Sequence, residues 1–419
     1  MATSIQEIEV QFTLSPTVSW PIGMLVTQGQ QLFFEYHSSW LRRNLELSPF
    51  ILPVKTGLVE HQQRNFGPLF GLFDDSLPDG WGLLLMDRHF RSLGREPSAL
   101  SPLDRLLYLG RSTMGALTYH PPTTRASLDT PLLDLHDLAS RSQQIFAGHE
   151  VEVLPLLLRT GGSPGGARPK VLVGWNAQNR KIIAGDDDLP PAFEHWLIKF
   201  SAKEDSRDAG PVEYAYAMMA CAAGIKMPET RLFMSEQDES FFGIKRFDRG
   251  PANRRYHIHT FGNLIQANFR IPSCDYADLF KVTTFLTRNH DDLLRAFRLM
   301  LFNILAHNRD DHVKNFSFIL NDCTGQWSLA PAYDLTFSDG PGGEHSTTVA
   351  GEGRAPAYSH IAELAEQYAV AEKELEKMFT EVTSAVERWP AFAQTAGVRT
   401  VVSAKISRRL NAVHFKRKG

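Results

Sequence analysis

Cysteine and long apolar runs are scarce in this sequence of 419 residues, and each shortage excludes a class of protein. The only cysteines, Cys221, Cys274 and Cys323, are too widely spaced for a disulfide framework or a zinc knuckle. No uninterrupted apolar run reaches the roughly 18 residues of a membrane span, and the N-terminus lacks the pattern of a secretory signal. We therefore predict a cytoplasmic protein without a membrane partner.

An excess of positive charge is also missing. Lysine and arginine total 44 against 47 aspartate and glutamate residues, which gives a net charge of −3. This balance argues against a surface built throughout for nucleic acid. The composition, with 43% hydrophobic and 22% charged residues, is that of a globular protein, and the length predicts two or three domains.

The order of strand-like and helix-like segments predicts three domains. Residues 1–120 contain short strand-like runs and a helix that starts near Pro78 and Asp79. Residues 121–250 begin with a linker rich in proline, threonine and serine (120–131) and then return to strand-like runs. Residues 251–419 become helical after about position 275, where Asp291 is expected to cap a long amphipathic helix.

The stretch "HNRDDHVKNFSFIL", residues 307–320, carries the most chemical groups in the shortest space. Asp310 and Asn315 have the D-x-x-x-x-N spacing of a kinase catalytic loop, in which the Asp accepts a hydroxyl proton and the Asn binds magnesium. A hairpin, "FSFIL" to "QWSLA", then returns the chain to Asp334. Magnesium prefers such oxygen ligands, shared with substrate phosphates, so Asn315 and Asp334 form a candidate magnesium site.

Two other interpretations of this stretch remain open at this point. A charged helix end that leads into a solvated loop would carry the same residue types without any function. Alternatively, His307, Asp310, Asp311 and His312 have side chains that ligate transition metals, which would indicate a metal-dependent hydrolase.

Two earlier motifs favour the kinase interpretation. The glycine-rich segment "TGGSPGGARPK" (160–170) allows backbone N–H groups to approach a phosphate, although a flexible surface turn has the same composition. Lys199 lies inside the apolar run "HWLIKF", and Glu213, in the first turn of the next predicted helix, is its natural partner. The order of these elements along the chain is that of a protein kinase: glycine loop, strand lysine, helix glutamate, D-x-x-x-x-N and final aspartate. This order predicts phosphoryl transfer from ATP.

Several of these segments resemble the HipA-type kinase toxins of bacterial toxin–antitoxin modules. "DDHVKNFSF" with "PAYDL" is similar to the family's catalytic and metal-binding motifs, and "IKRFDR" to its hinge. Other family segments are similar to "VEYAYAMMACAAGIKMPET", "SPGGARPK", "DSLPDGWGLLLMDR" and "LGRSTMGALTY". The likeness therefore spans nearly the whole chain. It implies an α+β, protein-kinase-like bilobal fold, with a β-rich N-lobe, an extra N-terminal β-rich subdomain and an all-α C-lobe.

The resemblance also implies a role for individual residues. Asp310 would be the catalytic base, with Asn315 and Asp334 as magnesium ligands, and Ser163 would be an autophosphorylation site. The residues implied in binding ATP are Ser163, Gly165, Gly166, Ala167, Lys199, Lys245, Phe247, His312, Lys314 and Tyr333. The sequence departs from the family pattern at two places: Lys245 replaces a hinge glutamate, and the segment 168–170 replaces Q-E-K.

The resemblance further implies a serine/threonine protein kinase that slows translation by modifying an aminoacyl-tRNA synthetase. A small helix-turn-helix antitoxin of the HipB type would neutralise it. Because this sequence shows no DNA-binding motif of its own, contact with DNA is expected mainly through that partner. A kinase-like co-repressor with little catalytic activity and a small-molecule kinase remain as alternatives.

Overall fold

The fold comes from a computed structural model that describes residues 5–63, 65–123, 132–149, 157, 165–185, 188–201 and 207–412. Most of the predicted linker at 120–131 lies outside the described residues, as does Ser163. Within the described ranges, no helix is long and apolar enough to cross a membrane.

The N-terminal part is built on an antiparallel five-stranded sheet. Ile8, Val10 and Phe12 are fully buried at alternate positions of the first strand, which is the two-residue period of a strand with one face in the core. The strands, in the order β4-β3-β2-β1-β5, are β1 Ile5–Ser15, β2 Val18–Gln28, β3 Gln31–Tyr36, β4 Val59–Glu60 and β5 Leu117–His120. The helices of this part are α1 Ser38–Arg43, α2 Gly71–Asp74, α3 Gly80–Ser92 and α4 Pro102–Leu109.

A second five-stranded antiparallel sheet contains the predicted lysine strand. Its order is β7-β6-β8-β10-β9, with β6 Lys170–Asn176, β7 Lys181–Ala184, β8 Glu194–Lys199, β9 Thr230–Met234 and β10 Ser240–Lys245. Two helices accompany this sheet, α5 Leu135–Phe146 and α6 Ala209–Ala222. The latter ends before Gly224, whose φ of +77° favours glycine.

The C-terminal part is mainly helical, as predicted, but it also contains a small sheet. After the short pair β11 Arg249–Gly250 and β12 Arg254–Arg255, the strands β13 His257–Thr260, β14 Ser317–Leu320 and β15 Trp327–Leu329 form an antiparallel sheet. The predicted hairpin is β14–β15. The helices are α7 Phe261–Ile265, α8 Tyr276–Thr287, α9 His290–Leu305, α10 Tyr358–Gln367, α11 Glu372–Glu387, α12 Trp389–Thr395 and α13 Thr400–Ala412.

The cap predicted for the long helix is wrong by two residues. Helix α9 is capped by Asn289, whose side chain accepts a hydrogen bond of 3.0 Å from the backbone N–H of Asp291. Asn and Asp are similar N-cap residues, and here the aspartate occupies the first turn, where its charge suits the helix dipole.

Two hydrophobic cores connect these parts. One extends from the N-terminal sheet into the C-terminal helices, and the other lies under the second sheet. Helix α3 belongs to the N-terminal part, yet its residues Trp81 and Leu85 are buried in the second core. The N-terminal part is therefore packed against the lysine-bearing sheet, while the predicted domain boundaries at 120 and 250 stay a prediction.

Candidate active site

Lys199, the last residue of β8, is held between two carboxylates. Its Nζ lies 2.6 Å from Oε1 of Glu213 in α6, and it also donates to Asp334. The side chains of Lys199 and Glu213 are only 15% and 7% exposed, so an unpaired charge at either position would be costly. The structure thus brings together three residues that are far apart in the sequence.

The three residues Lys199, Glu213 and Asp334, here called the Lys199 triad, differ in how strongly their surroundings favour the charged form. Burial opposes the charge on Lys199, but Asp334 and Glu213 outweigh it and raise the pKa of the ammonium group. Burial also opposes the charge of Asp334, yet Lys199 and Lys170 outweigh it and lower the pKa of this carboxyl. For Glu213, burial prevails over the attraction of Lys199 and raises the pKa. Asp334 is therefore the more firmly charged partner of Lys199.

The predicted catalytic loop places Asp310 beside Asn315. The Asn315 amide nitrogen donates to the Asp310 backbone carbonyl at 2.7 Å, and a short 3₁₀ turn, Val313–Asn315, shapes the loop between them. This bond occupies the amide nitrogen of Asn315, while the amide oxygen is the atom with ligand chemistry for magnesium. At the other end of the hairpin, Asp334 has φ +59°, a left-handed conformation uncommon for a residue other than glycine.

Most of the predicted site residues line a single cleft. The predicted residues that line it are Gly165, Gly166, Lys199, Lys245, Phe247, His312, Lys314, Asn315, Tyr333 and Asp334.

Three predicted residues are placed differently. Asp310 adjoins the cleft through its bond with Asn315, although it is not among the described residues that line it. Ala167 packs against the start of α3, where a Cβ on Gly80 would lie 2.6 Å from the Ala167 Cα. Ser163 lies outside the described residues, so its expected position over the phosphates stays a prediction.

The surroundings of Asp310 raise the pKa of its carboxyl group above the ordinary value. Asp310 remains solvent-exposed, yet partial desolvation by neighbouring atoms raises the pKa of its carboxyl. The positive influence of His312 opposes this shift, whereas the charges of Asp334 and Asp311 reinforce it. A raised pKa is typical of a carboxylate that accepts a proton during a reaction.

One end of the cleft is aromatic. The rings of Phe247 and Tyr333 are stacked, with centroids 5.6 Å apart and an angle of 29° between the ring planes. The Tyr333 hydroxyl donates to the Lys314 carbonyl at 2.7 Å, which fixes this ring against the predicted catalytic loop. Lys245, which the resemblance aligns with a hinge glutamate, pairs with Glu194 at 2.5 Å and donates its backbone N–H to the Glu229 carbonyl. This end of the cleft offers a planar, apolar surface of the kind that a nucleobase requires.

The N-terminal part contributes cleft residues that sequence reasoning missed. Asp75, Asp79 and Met114 line the cleft, and Lys314 Nζ lies 3.3 Å from Asp79 Oδ2 and 3.4 Å from Asp74 Oδ2. These carboxylates outweigh the effect of burial and raise the pKa of Lys314. The motif "DSLPDGWG" was visible in the sequence, but its acids resemble ordinary helix-capping residues, and only the packing of α3 brings them to the cleft.

A buried ion network attaches the N-terminal part to the end of β10. Asp248 is fully buried and accepts hydrogen bonds of 2.9 and 2.7 Å from Arg246 and of 2.7 Å from Arg249. It also accepts the backbone N–H of Gly115 at 2.8 Å, next to Met114. Burial opposes the charge of Asp248, but the two arginines outweigh it and lower the pKa of the carboxyl. The "RFDR" residues therefore hold the turn that brings Met114 to the cleft.

The histidines do not form the metal cluster of the hydrolase interpretation. His307 Nε2 lies 3.0 Å from Asp339 Oδ1, and His345 Nδ1 lies 2.8 Å from Asp311 Oδ2. Across the described ranges, no three His, Cys, Asp or Glu side chains are grouped to hold a metal ion. The hydrolase interpretation thus lacks the site that it requires in this part of the chain.

Comparison with protein families gives two matches in chain order. The family model described as the HipA N-terminal domain matches residues 17–120. The model described as the HipA-like C-terminal domain matches residues 162–389, more than half of the chain. Both matched segments contain residues of the cleft.

A curated protein and a solved structure are also similar to the chain. "Putative kinase Y4dM" of Sinorhizobium fredii is 29% identical over 155 residues, which cover 33% of this chain and 36% of that protein. The chain therefore aligns with little more than a third of this relative's length. The HipA structure from the complex of Shewanella oneidensis HipA, HipB and operator DNA covers 97% of this chain and 95% of its own, with a TM-score of 0.70 and 16% identity. This likeness shows a common α+β fold.

Proposed function

This chain belongs to the HipA family, and we propose that it is an ATP- and magnesium-dependent serine/threonine protein kinase that acts as a toxin. The observation that carries the proposal is the position of Lys199 between Glu213 and Asp334, in the same cleft as Asn315, whose amide contacts the Asp310 backbone. In the proposed function these residues supply the ion pair, the metal ligands and the base that phosphoryl transfer requires. The name of the Sinorhizobium relative is consistent with this class of activity.

The cleft has the chemistry to bind a nucleotide and magnesium. Asn315 and Asp334 supply hard oxygen ligands for magnesium, which when bound neutralises phosphate charge. Lys199, Lys170 and Lys314 supply cations for the phosphates. The buried Nδ1 atom of His312 has no hydrogen-bond partner among the described residues, so it is suited to a bond with a ligand.

In the proposed reaction, Asp310 orients the hydroxyl of a protein serine or threonine and accepts its proton. The hydroxyl oxygen forms a bond to the γ-phosphorus of ATP, and the bond from that phosphorus to the bridging oxygen breaks, so that ADP leaves with those electrons. The raised pKa of Asp310 favours its temporary protonation. Lys199 and Lys314 stabilise negative charge on the phosphates throughout.

The proposal extends to partners and cellular location. The Shewanella structure contains HipA together with HipB and operator DNA. We infer that this chain likewise acts in the cytoplasm with a HipB-like helix-turn-helix antitoxin, through which it reaches DNA indirectly. As its substrate we propose an aminoacyl-tRNA synthetase, whose phosphorylation would slow translation.

Labelling of a bacterial lysate tests the substrate class. The pure protein is incubated with γ-labelled ATP, magnesium and lysate, and the labelled protein is identified by mass spectrometry. We expect phosphoserine or phosphothreonine on an aminoacyl-tRNA synthetase, and no labelling with Asp310→Asn. Transfer of the label to a small metabolite instead would favour a small-molecule kinase.

Growth separates a toxin from a co-repressor. Expression of the chain alone should arrest growth, and Asp310→Asn should relieve that arrest, because the base is needed only for catalysis. If both forms are harmless and both tighten the antitoxin on its operator, the chain is a co-repressor rather than a toxin.

A further inference from the structure

The residue that follows the proposed base is fully buried and has four hydrogen-bond donors around its carboxylate. Asp311 Oδ1 accepts the backbone N–H groups of Ser346 at 2.8 Å and Thr347 at 3.3 Å. Its Oδ2 lies 2.8 Å from both the Tyr276 hydroxyl and His345 Nδ1. The side chain has 0% exposure and is not among the described residues that line the cleft, so it does not contact a substrate there.

The same contacts bind the catalytic loop to two separate parts of the protein. Tyr276 is the first residue of α8, and its hydroxyl also accepts a bond of 2.9 Å from the Asn303 amide in α9. Residues 345–347 form a buried segment, in which the Thr347 hydroxyl donates to the Asp311 backbone carbonyl at 2.6 Å. Both the side chain and the main chain of Asp311 are therefore fixed.

The chemistry of this arrangement requires a carboxylate. A carboxylate only accepts hydrogen bonds and has two oxygens, so it satisfies all four donors. Burial raises the pKa of Tyr276, which keeps its hydroxyl protonated as a donor. An asparagine of the same shape would turn an NH₂ group towards either the two backbone N–H groups or the Tyr276–His345 pair. In the first arrangement two buried N–H donors would lose their acceptor; in the second the Tyr276 hydroxyl would lose its acceptor and His345 would have to take the other tautomer.

From this geometry we propose that Asp311 is a positioning residue, which holds the main chain at Asp310 so that the base meets the acceptor hydroxyl. The proposal rests on the proposed kinase function. The carboxylates of Asp310 and Asp311 belong to consecutive residues, so release of the Asp311 side chain frees the backbone that carries the base. Misplacement of a reacting group by about 1 Å can lower a rate about 100-fold.

The test compares Asp311→Asn with a matched variant elsewhere. Asp208 is also buried and accepts bonds from the Arg399 backbone N–H at 2.9 Å and its side chain at 2.8 Å, far from the catalytic loop in sequence. For wild type, Asp311→Asn, Tyr276→Phe and Asp208→Asn, we would measure kcat, KM for ATP, and hydrogen exchange of the peptide that covers 307–316.

For Asp311→Asn we expect kcat to fall about 100-fold, with KM for ATP within about threefold of wild type and faster exchange at 307–316. Tyr276→Phe removes one of the four donors and should give a smaller effect in the same direction. Asp208→Asn should keep both the wild-type kcat and the wild-type exchange at 307–316. A general loss of folding would instead speed exchange in all peptides, including that of β1.

The two proposals fail in different ways. If the wild-type protein transfers no phosphate, the kinase proposal fails, while hydrogen exchange still tests the role of Asp311. Wild-type exchange at 307–316 in Asp311→Asn overturns the positioning role, and so does a wild-type kcat in that variant.

Discussion

Lys170 and Lys199 are register partners on the neighbouring strands β6 and β8, and both side chains line the same cleft. Residues directly opposite in an antiparallel pair have side chains on the same face of the sheet. Lys199 has Glu213 and Asp334 as partners, whereas Lys170 donates to the carbonyl of Gly165 in the glycine-rich loop. Burial and the charge of Lys199 lower the pKa of Lys170 to about 8.

This pair predicts how ATP affinity depends on pH. Charged Lys170 attracts phosphate, and bound phosphate should raise its pKa, so that affinity falls as pH rises through about 8. A rise of about one unit in this pKa on binding would increase the dissociation constant about sixfold between pH 7.5 and 9.5. Isothermal titration with ATP measures the change. Lys170→Met should bind more weakly at pH 7.5 and lose the pH step, whereas a step that persists in this variant would assign it to another group.

The Lys199 triad predicts a stability effect that a second substitution reverses in part. Lys199→Met removes the cation that contacts both Glu213 and Asp334, and removal of one member of a buried ion pair typically costs about 3–5 kcal/mol. Urea unfolding gives the free energy of each variant. The double variant Lys199→Met/Glu213→Gln should recover part of the loss, because it removes one of the unpaired charges. Additive losses would show that the two residues do not interact.

From the buried charge of Asp248 we predict that acid weakens the contact between the N-terminal part and the end of β10. Its pKa in the folded protein is below the ordinary value of about 3.9, so its stabilising contribution is present above that pH. The contribution is lost as pH falls from about 4 towards the folded-state pKa. Asp248→Asn should therefore be destabilised at pH 7, and its deficit against wild type should shrink below pH 4. An equal deficit at pH 7 and pH 3 would contradict the role of this charge.

The autophosphorylation of Ser163 stays a prediction, and mass spectrometry tests it. Phosphate at this position would add about −1.5 to −2 charges to the glycine-rich loop and repel the phosphates of ATP. Wild-type protein from cells should carry the modification, and Asp310→Asn should not. The phosphorylated form should bind ATP more weakly than protein treated with phosphatase. Equal affinities of the two forms would exclude a regulatory role.

The parts of the site that could be predicted from the sequence are local or follow an ordered motif. Asn315 and Asp334 are joined by one hairpin, so strand alternation and turn residues sufficed to bring them together. The Lys199–Glu213 pair followed from the cost of a charge on a buried strand.

The contributions of Asp79 and Met114 were not predicted, because they depend on how a separate region packs against the cleft. Asp311 was considered only as a metal ligand, since its buried partners lie 34 and 35 residues away in the chain. The cap of α9 was misplaced because Asn289 and Asp291 have the same local signature.

The central claim is tested most directly by the rate of magnesium-dependent phosphoryl transfer from γ-labelled ATP to a protein acceptor. Wild type, Asp310→Asn, Asp334→Asn and the matched Asp208→Asn are compared at equal concentration, with folding verified by thermal melting. We expect Asp310→Asn and Asp334→Asn each to lose about 10²–10⁴-fold in rate, since one lacks the base and the other a metal ligand. Asp208→Asn should remain close to wild type. Wild-type rates in folded Asp310→Asn or Asp334→Asn would contradict the account.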